Sequence, residues 1–365
     1  MKTELDHEGN EGDVYKKSFA ILIIFMVSIS SFLGCTSSKG QPVNNEIEEK
    51  QTDHSVVVID SQSDRRNDEG VPSPISGIYT DALNINRRPF AVMLDNQSKA
   101  RPQAGLDQAE IVYEILAEGM ITRYLAIFLI NEPSLIGPVR SARPYFLDKA
   151  MEFNALYVHV GGSPQAISDI KTLKIDDIDA MSRDSSIFWR KKHKSAPHNT
   201  YTDTKAIRKA AASSRYDEKV NFEPLDFNQE AMKINGEKMI YIEIPYFKDY
   251  KPSFKYNEVE KTYYRYLNNK PHLDEVSQMH LSAANIIIQE AETKVIDSEG
   301  RLEIELVGQG KGLFITNGEK RPIVWEKNDR KSRTRYFYED GTEIKLNPGV
   351  TWVQIIPKNL ELRTE

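Results

Sequence analysis

Hydrophobic and polar positions change texture along the chain, and each texture predicts different elements. Between residues 74 and 235, apolar blocks alternate with amphipathic ones. PFAVMLDN, which follows Arg88, reads as a buried strand ending at Asp95-Asn96. IVYEILAE (111–118) and ITRYLAIFLI (121–130) read as two strands turned by Gly119-Met120, and ALYVHV (155–160) as another. Ser141 is placed to cap a helix through PYFLDKAMEF with Pro144 in its first turn. Gly161-Gly162-Ser163-Pro164 repeats that junction, and Thr202 is placed to cap the helical stretch DTKAIRKAAASS. From about residue 236 the pattern becomes short strands such as MIYIEIPY, KTYYRYLNN, RPIVWEK and TWVQIIP. Turn signals at Asn268-Asn269, Asn317-Gly318, Asp340-Gly341 and Pro348-Gly349 separate them. The predicted class is α+β: a mixed α/β domain over 74–235, then a mostly β domain over 236–365.

The first 73 residues have a different logic. Lys16-Lys17 precedes SFAILIIFMVSISSFL (18–33), and Gly34-Cys35 closes the run. A basic cluster, an apolar stretch and a small residue at the cut site form a signal peptide over residues 1–34. The run of about 16 residues holds four serines and is short for a permanent membrane span. Cys35 directly after Gly34 points to lipoprotein processing, although Phe32 stands where Leu is usual. Residues 1–13 carry five acids against Lys2 alone, an unusual leader. They read as a gene-start artefact, with translation beginning at Val14. Residues 35–73 are mostly polar and read as a lipidated cysteine followed by a disordered tether.

Composition narrows the function classes. Cys35 is the sole cysteine, so its lipidation leaves no thiol for a disulfide, a zinc site or a nucleophile. Loss of residues 1–34 leaves 45 basic against 49 acidic residues, a mildly acidic balance with no strong field for nucleic acid. No G-x-S-x-G, H-E-x-x-H, S-x-x-K or Walker pattern occurs. No cofactor and no metal site is expected.

Several blocks, taken in order, carry a resemblance. RPFAVMLDN, ARPQAGLDQAEIVYE, EGMITRYLAIF, IGPVRSARPYFLD, VHVGGSP and APHNTYT occupy the first half. NKPHLDE, QMHLSAANIII, GRLEIELVGQGKG, NGEKRPIVWEK and GTEIKLNPGVTWVQIIP occupy the second. Over roughly residues 74–360 the chain resembles the YerB-like lipoprotein family. The resemblance implies a bacterial envelope lipoprotein with a two-part domain of unassigned function, and it brings no catalytic residues to carry over.

Candidate chemistry therefore comes from the residues. Arg140 and Arg143 flank Ser141 at an expected helix start, where free N–H groups and two guanidinium forks suit a phosphate or carboxylate. Gly161, Gly162 and Ser163 offer a second such start. Glu114 and Glu118 lie four apart on a strand, with Arg123 as a partner across the hairpin. They serve acid–base work or form a structural pair. His159 at a strand end, and His198 beside Asn199, are candidate bases or simply hydrogen-bonded residues. The basic run WRKKHK (189–194) is a polyanion contact or a solvated loop. His272 and Asp274 lack metal spacing, and Trp325 and Trp352 suit a core better than a glycan surface.

Two main functions remain open. One is a lipoprotein on the outer face of the cytoplasmic membrane, anchored through Cys35. It would bind an anionic wall component or an envelope enzyme and support wall assembly. The other is an extracytoplasmic hydrolase or transferase acting on a phosphate- or carboxylate-bearing glycan. A solute-binding lipoprotein is weaker, since the second half lacks a doubly wound lobe.

Overall fold

The computed structural model describes residues 70–365. The signal peptide, Cys35 and all but the end of the tether lie outside the described residues. The first half supplies β1 (Phe90–Asp95), β2 (Ile111–Ala117), β3 (Ile121–Phe128), α1 (Pro144–Met151), β4 (Leu156–His159), α2 (Pro164–Leu173), β5 (Asp177–Asp179) and α3 (Thr204–Ser214). The second half supplies β6 (Tyr241–Glu243), β7 (Pro252–Asn257), β8 (Thr262–Leu267), β9 (Asn285–Ala291), β10 (Gly308–Thr316), β11 (Glu319–Lys327), β12 (Arg335–Tyr338), β13 (Thr351–Pro357) and β14 (Arg363–Thr364). Every described α-helix precedes residue 215, and strands dominate after it, so the fold is α+β as the sequence predicts. Among the described residues, no helix is long and apolar enough to cross a membrane.

The two halves share one eleven-stranded sheet. Its order is Glu237–Lys238, β11, β10, β9, β13, β2, β3, β1, β4, β5, with β12 beside β11. The join is β13, which lies parallel to both β9 and β2, with Thr351 opposite Asn285 and Ile111. β1, β2 and β13 are buried along almost their whole length, which is why they read as unbroken apolar runs.

Alternation sorts the side chains of this sheet onto two faces. Register sets Glu114 opposite Tyr124 and Trp352 opposite Val112, so these four share one face. A six-stranded sheet covers that face, in the order Lys270–Pro271, β8, β7, β6, β14, with Ser282–Ala283 on β8. Phe254 of β7 meets Trp352 edge-on with ring centres 5.9 Å apart. Asp95 pairs with Arg123, and these two, with Tyr113, occupy the other face. There α1 sets Lys149 over the Tyr113 ring at 5.5 Å.

Two helix starts differ from expectation. Arg143, not Ser141, precedes α1, and its extended backbone (φ −138°, ψ 151°) is what Pro144 imposes on its predecessor. Asp203, not Thr202, caps α3 by accepting from the Ala206 N–H at 2.6 Å. Thr202 is instead engaged with Ile136 through its backbone and with Ile187 O through its hydroxyl.

Candidate functional site

β1 and β4 run parallel, so their carboxyl ends open on the same side, the usual place for a ligand crevice. A loop over residues 137–143 crosses both ends. Arg140 N–H donates to Met93 O at 2.9 Å, Val160 N–H donates to Arg140 O at 3.0 Å, and Ala142 N–H donates to Gly161 O at 2.9 Å. Gly162 makes this close passage possible: a Cβ there would stand 3.1 Å from the Ala142 Cβ. A third segment carries His198. Asn199 braces it by accepting from Arg190 Nη1 at 2.7 Å and donating to Lys191 O and Lys194 O at 3.1 Å. Val139 N–H donates to Thr200 O at 2.7 Å and seats that segment against the loop.

These elements converge on Asp95, which is fully buried. His198 Nδ1 donates to Asp95 Oδ2 at 2.7 Å, and Gln97 N–H donates to Oδ1 at 3.0 Å. Arg140 Nε stands 3.3 Å from the same Oδ2, yet is misaligned and is left buried without a hydrogen-bond partner. The Arg140 side chain keeps 23% exposure and His198 keeps 14%, so both reach the surface at the strand ends. With Nδ1 on the carboxylate, the His198 lone pair lies on Nε2. Among the described residues that atom has no hydrogen-bond partner, and it is not fully buried.

Next to this centre, Glu118 joins two more arginines. Arg123 Nη2 donates to Glu118 Oε1 at 3.0 Å and its Nη1 to Ser141 O at 3.0 Å, while its Nε is buried unpaired. Arg143 Nε donates to Glu118 Oε2 at 2.9 Å. Burial, first of all, pushes Arg123, Arg140 and Arg143 below the usual arginine value, and Asp95 counteracts this for Arg123 and Arg140. All three remain cations. Three guanidinium groups thus face two carboxylates, leaving one positive charge in excess at the strand ends.

The remaining candidates are not brought together here. Glu114 is fully buried on the opposite face. Its partner is Arg265 at 2.7 Å, not Arg123, because Arg123 sits opposite Ile115 and so points to the other side of the sheet. Glu118 escapes that constraint because β2 ends at Ala117 and the chain turns at Gly119 (φ +80°). His159 is sealed, with Nδ1 2.8 Å from Gly161 O and Nε2 3.0 Å from Asp177 Oδ2. Ser163 caps α2 through Ala166 N–H, and its own N–H donates to Ala142 O, so this helix start is occupied by the loop. In WRKKHK, Lys194 is tied to Tyr201 and Glu275. His272 and Asp274 are buried, as are Trp325 and Trp352. Asp95 was not singled out from the sequence. Its signal was an acid closing an otherwise apolar strand.

Comparison with known proteins matches both halves. Residues 75–217 match the "Protein of unknown function (DUF3048) N-terminal domain" and residues 242–353 its C-terminal counterpart. A Bacillus subtilis (strain 168) protein named "Putative lipoprotein YerB" is 35% identical over 289 residues, covering 78% of this chain and 86% of that protein. The crystal structure of YerB protein from Bacillus subtilis superposes with a TM-score of 0.75 at 34% identity. It covers 81% of this chain and 99% of the other.

Proposed function

The chain belongs to the YerB-like lipoprotein family with its two-part DUF3048 domain, and from that premise we propose that it is an anchored binding protein of the envelope. Its crevice receives a phosphate or carboxylate group of an anionic wall polymer. Cys35 carries the diacylglyceryl anchor, whose two chains hold firmly where one would bind only marginally. The chain thus works on the outer face of the cytoplasmic membrane and supports wall assembly by holding its polymer there.

One observation carries this reading. Arg140 leaves a buried Nε unpaired and offers the rest of its guanidinium to the crevice. The buried Nε faces Asp95, whereas the partly exposed Nη groups have no hydrogen-bond partner among the described residues, and a phosphate or carboxylate supplies a charge-assisted one. Titration calorimetry of the full chain in detergent micelles, with inorganic phosphate and with poly(glycerol phosphate), tests it. Arg140→Ala should weaken binding by roughly ten- to a hundredfold, the worth of a hydrogen bond to a charged group. Equal affinity in the variant, or no binding by wild type, overturns it. The Asp95–His198 contact favours a second reading, in which the same crevice carries out chemistry.

A further inference from the structure

We infer that Asp95, His198 and Arg140 form a hydrolytic centre for a carboxylic ester carried by an anionic molecule. The anionic part of this inference rests on the crevice binding phosphate or carboxylate as proposed above. The ester chemistry stands on separate geometry.

A general base needs an orienting partner on one ring nitrogen and open access at the other. His198 has both. The buried Asp95 carboxylate takes Nδ1–H at 2.7 Å and fixes the ring, while Nε2 has no partner. The Asp95 carboxylate is itself pinned by Gln97 N–H at 3.0 Å, so the pair is built from the scaffold. Arg140 Nε stands 3.3 Å from the same carboxylate oxygen, which brings its partly exposed guanidinium to the same side as the imidazole. That is where charge develops when a nucleophile adds to a carbonyl.

Among the described residues Nε2 has no hydroxyl or thiol partner, so water is the nucleophile. Nε2 takes one proton of the water as the oxygen bonds to the carbonyl carbon. The carbonyl pair moves onto its oxygen, and Arg140 stabilises the resulting anion. As the pair returns and the carbon–oxygen bond to the leaving group breaks, the proton on Nε2 passes to the departing alkoxide. Ester and water become acid and alcohol, and the histidine is restored.

A single histidine decides between ester classes. At a tetrahedral carbon the attacking and leaving oxygens are neighbours, so one imidazole serves both. In phosphoryl transfer they lie roughly in line on opposite sides of phosphorus, beyond the reach of one ring. Arg123 and Arg143 act only through their charge, because their Nη groups are held by Glu118, Ser141 O and Ala142 O; with Arg140, their excess over Glu118 and Asp95 favours a substrate with an anionic remainder.

The full chain in detergent micelles is tested on mono-para-nitrophenyl succinate, para-nitrophenyl acetate and bis(para-nitrophenyl) phosphate. Wild type should hydrolyse the succinate ester fastest. His198→Gln should lower kcat by roughly 10²–10⁴-fold, and Asp95→Asn by about a hundredfold or more with an altered pH profile. Added imidazole should restore turnover in His198→Ala, a rescue that a purely structural histidine would not give. No ester turnover by wild type, equal rates in His198→Ala, or preference for the phosphodiester overturns the inference. Phosphate binding without ester turnover leaves the binding reading standing. Equal turnover of the neutral and anionic esters with no phosphate binding removes the binding reading and leaves the ester chemistry.

Discussion

Two charge clusters sit back to back on the same strands and have opposite fates. Asp95 and Arg123 face the crevice, while their chain neighbours Asn96 and Tyr124 face the sealed network under the second sheet. There Glu114 Oε1 accepts from Thr122 at 2.7 Å and Tyr250 at 2.5 Å, and its Oε2 accepts from Arg265 at 2.7 Å. Arg265 lies 4.3 Å over the Trp352 ring and donates through Nε to His272 Nδ1 at 3.2 Å. His272 Nε2 donates to Gln103 at 3.1 Å. Burial, then Arg265, pushes His272 well below the usual histidine value, which keeps it neutral and able to accept. Burial alone would lower Arg265, but Glu114 outweighs it and holds the guanidinium charged. In the sealed cluster the polar atoms have partners, save Arg265 Nη1. In the open one, Arg140 and His198 keep functional atoms in reserve. The residue types are nearly the same, so partner saturation and access, not composition, separate structural glue from a site.

The largest expected effect lies in the sealed cluster. Glu114→Ala leaves Arg265 buried and unpaired across the join of the halves, and should cost about 3–5 kcal/mol in urea denaturation. Glu114→Met with Arg265→Met should recover much of that loss, because the uncompensated charge is gone. If Glu114→Ala stays within about 1 kcal/mol of wild type, a range typical of exposed pairs, the cluster is not the clamp described.

A second sealed cluster gives a smaller, pH-dependent effect. Lys149 Nζ donates to Glu152 at 3.1 Å and to Thr334 at 2.7 Å, and Lys327 shares the same Glu152 oxygen at 2.9 Å. Two ammonium groups thus share one carboxylate. Burial, opposed by Glu152, lowers Lys149 from 10.5 to about 8. Below about 8 the lysine is protonated in both folded and unfolded chains, and the burial penalty is fully present. Between about 8 and 10.5 the unfolded chain keeps a proton that the folded chain has released, so this site's contribution to stability rises with pH. Asp148, Tyr113 and Tyr336 also face the cluster, so the measurement is the difference between wild type and Lys149→Met. That difference should shift in favour of wild type by at most about 1.4 kcal/mol per pH unit in the window. A flat difference would sink the assignment.

Much of this was legible in local patterns. The strand at 351–357 matches its apolar run, and β1, β2 and β3 fall within the blocks read for them. β7 was missed, because Pro252 to Asn257 mixes Lys and Ser with two aromatics and draws its stability from pairing with β8. The shared sheet was also hidden. β13 lies beside β2 although some 240 residues separate them, and nothing local in either strand names its neighbour. In the site, the Arg140–Arg143 spacing and His198 were readable as chemistry. Their convergence on Asp95 was not, since it depends on three segments meeting at a strand end. Of the two acids set against Arg123, Glu118 does pair with it, whereas Glu114 misses it by one residue of register, which in a sheet is the whole face.

The smallest stability effect is also the sharpest test of the contrast. Arg140→Ala removes a cation from beside a fully buried carboxylate, as Glu114→Ala removes a carboxylate from beside a buried cation. The two should nevertheless differ. Asp95 keeps His198 Nδ1–H and Gln97 N–H, and Arg140 contributes a misaligned Nε while the rest of its head is partly solvated. Its loss should therefore change stability by less than about 1 kcal/mol, the range of exposed pairs, while phosphate affinity falls. Thermal and urea denaturation of Arg140→Ala beside Glu114→Ala measures this directly. If the two variants are equally damaged, Arg140 belongs to the scaffold, and the open cluster is as structural as the sealed one behind it.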